Sequence, residues 1–184
     1  MGAAGKSLLL VNAKPMLLGI AEALMQGRVD YLMIVAHTQL LNKLPAMPAN
    51  VRVIVNDDPQ SAMIDSIRLA LSAYERCQPI GGLDGVLVCP CDAAGLHAED
   101  VRRCVEAFRE TPNQIIIAAH ENKRGHPMIF PAGLIPAVRS SLCDAGLNQL
   151  AKHHGPRVRQ VACDSPGTIR NVNTPEDYNQ LDHS

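Results

Sequence analysis

The sequence predicts an α/β domain of three layers, with helices covering both faces of a mostly parallel sheet. Three observations support this. Several short runs rich in Val and Ile are apolar at every position rather than at alternate ones, the pattern of strands buried on both faces. Between them lie segments whose apolar residues recur at helical spacing. The chain has 184 residues, 47% of them hydrophobic, enough for one sizeable core. Residues 1–184 therefore read as a single domain.

The strands are expected at "YLMIVA" (31–36), "VRVIV" (51–55), "GVLVC" (85–89), "QIIIAA" (114–119) and "RVRQVAC" (157–163). The helices between them are expected at Pro15 to Gln26, ending at Gly27, and at Ser61 to Cys77, where Ile64, Ile67, Leu71 and Tyr74 form one stripe. Further helices are expected at His97 to Glu110, Ala132 to Leu142 and Leu147 to His153. Alternation of this kind is the signature of a covered parallel sheet. In such sheets ligands sit beyond the carboxyl ends of the strands. That points to His37, Asn56 to Gln60, Cys91 to Ala94 and His120 to His126.

Composition narrows the partners. A formal net charge of -1, scattered Lys and Arg, and only three Tyr, two Phe and no Trp argue against nucleic acid. No apolar run approaches the roughly 18 residues of a membrane span, and no signal peptide is evident. Six cysteines without scaffold-like spacing read as reduced thiols of a cytoplasmic protein. Cys89 and Cys91 lack the spacing of a zinc pair.

Four stretches can carry chemistry. In "GVLVCPCDAA", Asp92 follows a buried strand, where a carboxylate can hold a hard cation such as Mg²⁺ or simply cap a turn. In "NKRGHPMIF", Gly125 permits close backbone approach and His126 can donate to a ligand; the same residues, with Pro127, also suit a turn entering a strand. In "NVNTPEDY", Thr174 and Pro175 make a strong helix start, and Asn173 just before them offers an oxygen to a metal. In "NDDPQSAMIDSIRLAL", Ser61 and Ser66 open a helix, either capping it or reading the edge of a base.

The order of these stretches is more specific than any one of them. With "LLLVNAKPML" near the front, it resembles the MobA-like nucleotidyltransferases, such as the molybdopterin cytidylyl- and guanylyltransferases, over about Leu8 to Leu181. The resemblance implies a Rossmann-like nucleotidyltransferase fold. It also implies transfer of a nucleoside monophosphate, CMP or GMP, from an NTP to a phosphorylated acceptor such as molybdopterin, with release of pyrophosphate. Mg²⁺ is the implied cofactor, held by Asp92 and Asn173. Ser61 and Ser66 fall on the base side; Gly125, His126 and Pro127 fall on the acceptor side.

The chain departs from that family in several places. Ala93 and Ala94 follow the metal Asp where Pro is usual, Ala62 stands for Gly, and Asn173 commonly is Asp. At the front, the family pattern L-A-A-G-x-S-x-R-M-G-x-x-K matches "MGAAGKS" in two ways. Either Gly5 and Ser7 belong to its A-A-G-x-S half, or Met1 and Gly2 are its M-G and Lys6 its catalytic-type lysine, eight residues before Lys14. Both leave the fold truncated at its amino end, without the strand that precedes the loop. Open edges of that kind favour self-association. The departures also fit a non-catalytic nucleotide-binding member of the family.

Overall fold

The computed structural model describes residues 9–11, 14–41, 43–44, 47, 50–77, 79–82, 84–172, 174 and 177–178. The first described elements are a small antiparallel hairpin of β1 (Leu10–Val11) and β2 (Lys14–Pro15), followed by helix α1 (Met16–Gln26). Strand β3 (Leu32–Ala36), the short helix α2 (Thr38–Leu41) and strand β4 (Val51–Val55) follow. Helix α3 (Met63–Glu75) leads to β5 (Gly85–Val88), and α4 (Ala98–Glu110) leads to β6 (Ile115–His120). Strand β7 (Lys123–Pro131), helices α5 (Ile135–Arg139) and α6 (Asn148–His153), and strand β8 (Val158–Ala162) complete the core.

β3 and β4 pair in parallel. The second group is ordered β5-β7-β6-β8: β6 and β8 are parallel, and β7 is antiparallel to both of its neighbours. Three of its four strands therefore run one way, and β7 alone runs against them. Sequence patterning missed β7 as a full strand because Lys123 and Arg124 at its start are exposed and charged. It joins β6 through Glu121 and Asn122, with φ of 47° and 64°, a pair of left-handed residues suited to a tight hairpin.

The layers follow from strand alternation. Ile115 and Ile117 of β6 pack with Ile64, Ile67 and Leu71 of α3 and with Val138 and Leu150 of α5 and α6. Ile116 and Ala118 point the other way, onto Cys104, Ala107 and Phe108 of α4. Side chains alternate between faces, so a strand apolar throughout must have both faces covered. Each fully buried Ile contributes about 1.5–3 kcal/mol. Helix α1 lies beside α4, with Ile20, Leu24 and Val101 in one cluster.

The expected helix over 132–142 is divided. A 3-10 turn at Ala132–Leu134 precedes α5, and the hydroxyl of Ser140 accepts from the Leu142 amide to start another turn at Ser141–Cys143. Among the described residues no helix is long and apolar enough to cross a membrane.

Candidate nucleotide site

Residues that follow β4 and β5, Ser61 and Asp92, line one cavity. Asn56 follows β4, and its amide donates to the Ala36 carbonyl at 3.0 Å, so the ends of β3 and β4 stay together. The Asn56 side chain then donates to the hydroxyls of Ser61 at 2.7 Å and Ser66 at 3.2 Å. Ser61 is not the helix cap: Ala62 is, and its N–H donates to the Asp65 carboxylate at 2.9 Å. The Ser61 hydroxyl is thus held by Asn56 rather than spent on capping. Next door, the backbone N–H and the hydroxyl of Thr38 both donate to Asp57, which holds that carboxyl below its usual range.

Asp92 lies beyond β5, four residues after Val88. Its loop is held by its backbone: the Val172 amide donates to the Asp92 carbonyl at 2.9 Å, and Ser165 donates to the Gly95 carbonyl at 2.9 Å. Ala93 and Ala94 are buried, at 0% and 1% exposure, which leaves no room there for a larger side chain. The Oδ1 atom of Asp92 is buried and has no hydrogen-bond partner among the described residues. Burial of a carboxylate oxygen without a partner is costly, so such an atom suits a cation.

His126 sits near Asp92 on β7. Burial pushes its pKa below the ordinary histidine value, with the Asp92 charge opposing the shift. Its Nδ1 is likewise buried without a partner among the described residues. Pro127 is buried after it, and the His126–Pro127 peptide is cis. Gly125 has a packing reason to be glycine: a Cβ there would lie 1.9 Å from the Thr168 carbonyl oxygen. Burial also pushes the Cys89 thiol up to about 12, so it stays protonated at neutral pH.

Asp92, Ser61 and Ser66 line one cavity of about 820 Å³. Gly125, His126 and Pro127 are not among the residues that line it, although the charge of Asp92 acts on His126. Gly5, Lys6, Ser7 and Asn173 lie outside the described residues. Asn56, which organises both serines, stands out in sequence only as the first residue after a strand. The supporting Asp100 carries no sequence signal; its buried carboxylate accepts from the amides of Asp164 at 3.0 Å and Ser165 at 3.2 Å.

Known proteins resemble this chain in sequence and in fold. A molybdenum cofactor guanylyltransferase of Shewanella loihica is 28% identical over 191 residues, covering 98% of this chain and 88% of that one. A nicotine blue oxidoreductase of Paenarthrobacter nicotinovorans is 29% identical over 194 residues, covering 98% and 89%. Among solved structures, Rv0371c of Mycobacterium tuberculosis H37Rv superposes with a TM-score of 0.80 at 22% identity, covering 97% of this chain and 89% of that one. The same protein has also been solved as a complex with manganese. A nucleotidyl transferase of Methanothermobacter shows the same fold, with a TM-score of 0.73 at 21% identity, covering 97% and 84%. Residues 1–158 match the MobA-like NTP transferase domain, and the chain belongs to that family of nucleotidyltransferases.

Proposed function

We propose that the protein transfers CMP or GMP from CTP or GTP to a phosphorylated acceptor such as molybdopterin, in the cytoplasm, and releases pyrophosphate. The observation that carries this reading is the buried Oδ1 of Asp92, which has no hydrogen-bond partner among the described residues, in a residue that lines the same cavity as Ser61 and Ser66. An oxygen of the acceptor phosphate attacks the α-phosphorus, and the bond to the bridging oxygen of the leaving pyrophosphate breaks. Such transfers need positioning and charge neutralisation more than covalent help from the protein.

The residues suit those roles. Asp92 and Asn173 would hold Mg²⁺, which neutralises charge on the phosphate oxygens when bound. Lys6, with Gly5 and Ser7 around it, offsets charge on the triphosphate. Ser61 and Ser66, oriented by Asn56, face the base. Gly125, His126 and Pro127 line the acceptor side, and a neutral His126 can donate to an acceptor without adding charge beside the metal.

Calorimetry with CTP, GTP, ATP and UTP in the presence of Mg²⁺ tests binding; CTP or GTP is expected to bind, and no binding by any of them overturns the reading. Release of pyrophosphate that Asp92→Ala abolishes establishes turnover. Binding without release identifies a non-catalytic member of the family instead.

A further inference from the structure

Helix α4 turns one face to the chain that leaves β8. Asp100 accepts from the amides of Asp164 and Ser165 at 3.0 Å and 3.2 Å. Arg103 donates to the Asp164 carboxylate at 2.7 Å. Residues three and four apart share a helix face, so Cys104 comes next on this one. On the facing chain the residue before Asp164 is Cys163. Both cysteines are buried in one cluster with Ala107, Ile116 and Ala118. Cys163 is also fixed from the sheet side, because its amide donates to the Ala119 carbonyl of β6 at 2.8 Å. Two thiols far apart in sequence are thus set against each other at the corner where β8 ends.

The two sulfurs are not equivalent. As a thiol, Cys163 donates to the Val161 carbonyl at 3.5 Å, which turns its hydrogen along β8 and leaves its lone pairs to Cys104. Cys104 is fully buried, whereas Cys163 keeps 6% of its surface. Hydrogen bonding from Cys104 lowers the Cys163 pKa below the ordinary thiol value, and the Arg103 charge adds to the shift. Burial and the Asp100 carboxylate act against it. The same contact, with burial, raises the Cys104 pKa and keeps its proton in place. A thiol with a lowered pKa and a protonated partner beside it divide naturally into an attacking and a resolving sulfur.

A small oxidant has a way to approach. A groove of about 300 Å³ runs past this corner, lined on α4 by Arg103 and Ala107 and on β8 by Val161 and Ala162. These residues are the immediate neighbours of the two cysteines, along the chain or along the helix face. The exposed cysteines, Cys77 and Cys91, lie on other elements.

We propose that Cys104 and Cys163 are a redox couple, which a hydroperoxide oxidises to a disulfide. With hydrogen peroxide, the ionised Cys163 sulfur attacks one oxygen and the O–O bond breaks. Cys163 becomes a sulfenic acid, and the departing hydroxide takes up the proton that the thiol released. The Cys104 sulfur then attacks the sulfenic sulfur; the S–S bond forms, the S–O bond breaks, and the oxygen leaves as water with the Cys104 proton. Two thiols and one peroxide give one disulfide and two waters, and a dithiol reductant restores the pair. The bond pins residue 163 to α4 beside the amides that Asp100 holds. Ser165, in the same segment, donates to the Gly95 carbonyl at 2.9 Å, so the redox state reaches the loop that carries Asp92.

The test uses no nucleotide, so its outcome is separate from that of the proposed function. The full chain is treated with stoichiometric hydrogen peroxide, its remaining thiols are alkylated after unfolding, and a non-reducing digest is read by mass spectrometry. The expected product is a pair of peptides joined through Cys104 and Cys163, separated again by dithiothreitol. Oxidation of Cys77 or Cys91 with Cys104 and Cys163 still alkylated overturns the proposal. A disulfide between chains, or from Cys163 to any other cysteine, overturns it too. In the oxidised chain, amide exchange at Asp164 and Ser165 is expected to slow by tenfold or more, because local opening of the corner is suppressed. Unchanged exchange overturns the link to the Asp92 loop. Cys104→Ala is expected to stop at a Cys163 sulfenic acid, captured by dimedone, and Cys163→Ala to leave Cys104 a thiol. Capture on Cys104 instead overturns the division of roles. If either variant fails to fold, the digest of the parent chain decides.

Discussion

The amide of Val172 donates to the carbonyl of Asp92 at 2.9 Å, and this bond fastens the chain that leaves β8 to the loop that leaves β5. Ser165 reinforces the junction through the Gly95 carbonyl. The loop is therefore held by its main chain, and the buried Oδ1 of the Asp92 carboxylate has no hydrogen-bond partner among the described residues.

Asp100 supports that junction from α4. Asp100→Ala removes the acceptor for the amides of Asp164 and Ser165 and is expected to cost about 3 kcal/mol, because both donors lose a buried partner. Asp100→Asn, which keeps one oxygen, is expected to cost less. Urea unfolding measures both, and a loss under about 1 kcal/mol for the alanine variant would contradict the role.

Gly167 fits against the same loop with no space to spare. A Cβ there would lie 2.0 Å from the Gly95 carbonyl oxygen, so Gly167→Ala must push that loop aside, at about 2–3 kcal/mol. Gly133 has no atom within 4 Å of such a Cβ, and Gly133→Ala is expected to be neutral or stabilising by about 0.5 kcal/mol. Thermal denaturation of the pair distinguishes close packing from a general preference for glycine.

Asn56 governs the two serines. Asn56→Ala removes its hydrogen bonds to Ser61 and Ser66, with an expected stability loss of about 1 kcal/mol. Its larger effect is expected on nucleotide affinity, a drop of about tenfold, equivalent to about 1.4 kcal/mol. Asn56→Asp can accept from both hydroxyls and should bind more tightly than the alanine variant. Unchanged affinity in Asn56→Ala would remove the serines from the base side.

His126 makes stability depend on pH. Its folded pKa lies below the ordinary value of 6.5 because burial disfavours the cation. Between the folded and unfolded pKa values the unfolded chain binds a proton that the folded chain does not, so stability rises with pH in that window. It is lost as pH falls below about 6.5 and levels off once the folded pKa is passed. His154, lowered mainly by burial, contributes in the same direction. The quantity to compare is therefore the slope between pH 7.5 and 5 in the parent chain and in His126→Gln; the variant is expected to be flatter, and equal slopes would exclude His126 as a source.

The strands were readable as short runs rich in Val and Ile: β3, β4, β5, β6 and β8 begin within one residue of the runs that mark them, although Arg52 interrupts β4 and Arg159 and Gln160 interrupt β8. β7 was not, because its first two residues, Lys123 and Arg124, are exposed and charged, and it is fully buried only from Pro127. Ser61 looked like a cap because Ser is a common one, but Asp65 reaches back to the Ala62 amide and releases it. Asp92 was legible as a polar residue just past a buried strand. Asp100 was not: an acid in the first turn of an amphipathic helix looks like an ordinary partner of the helix dipole, and only the return of the chain after β8 brings two amides to it.

Arg68 lies two residues beyond Ser66 on α3, and its guanidinium reaches away from the site. It donates to the carbonyls of Val138 at 3.0 Å and Ser140 at 2.8 Å and to the Asp144 carboxylate at 2.7 Å. The helix that presents Ser66 is thereby braced against the turn after α5, so its tilt is set from outside the cavity. On the proposed reading of Ser66, base preference then becomes an epistatic trait. Laboratory selection for a different nucleotide should gather compensating changes between 138 and 144, in residues that never meet the substrate, and a library confined to the cavity wall would miss them.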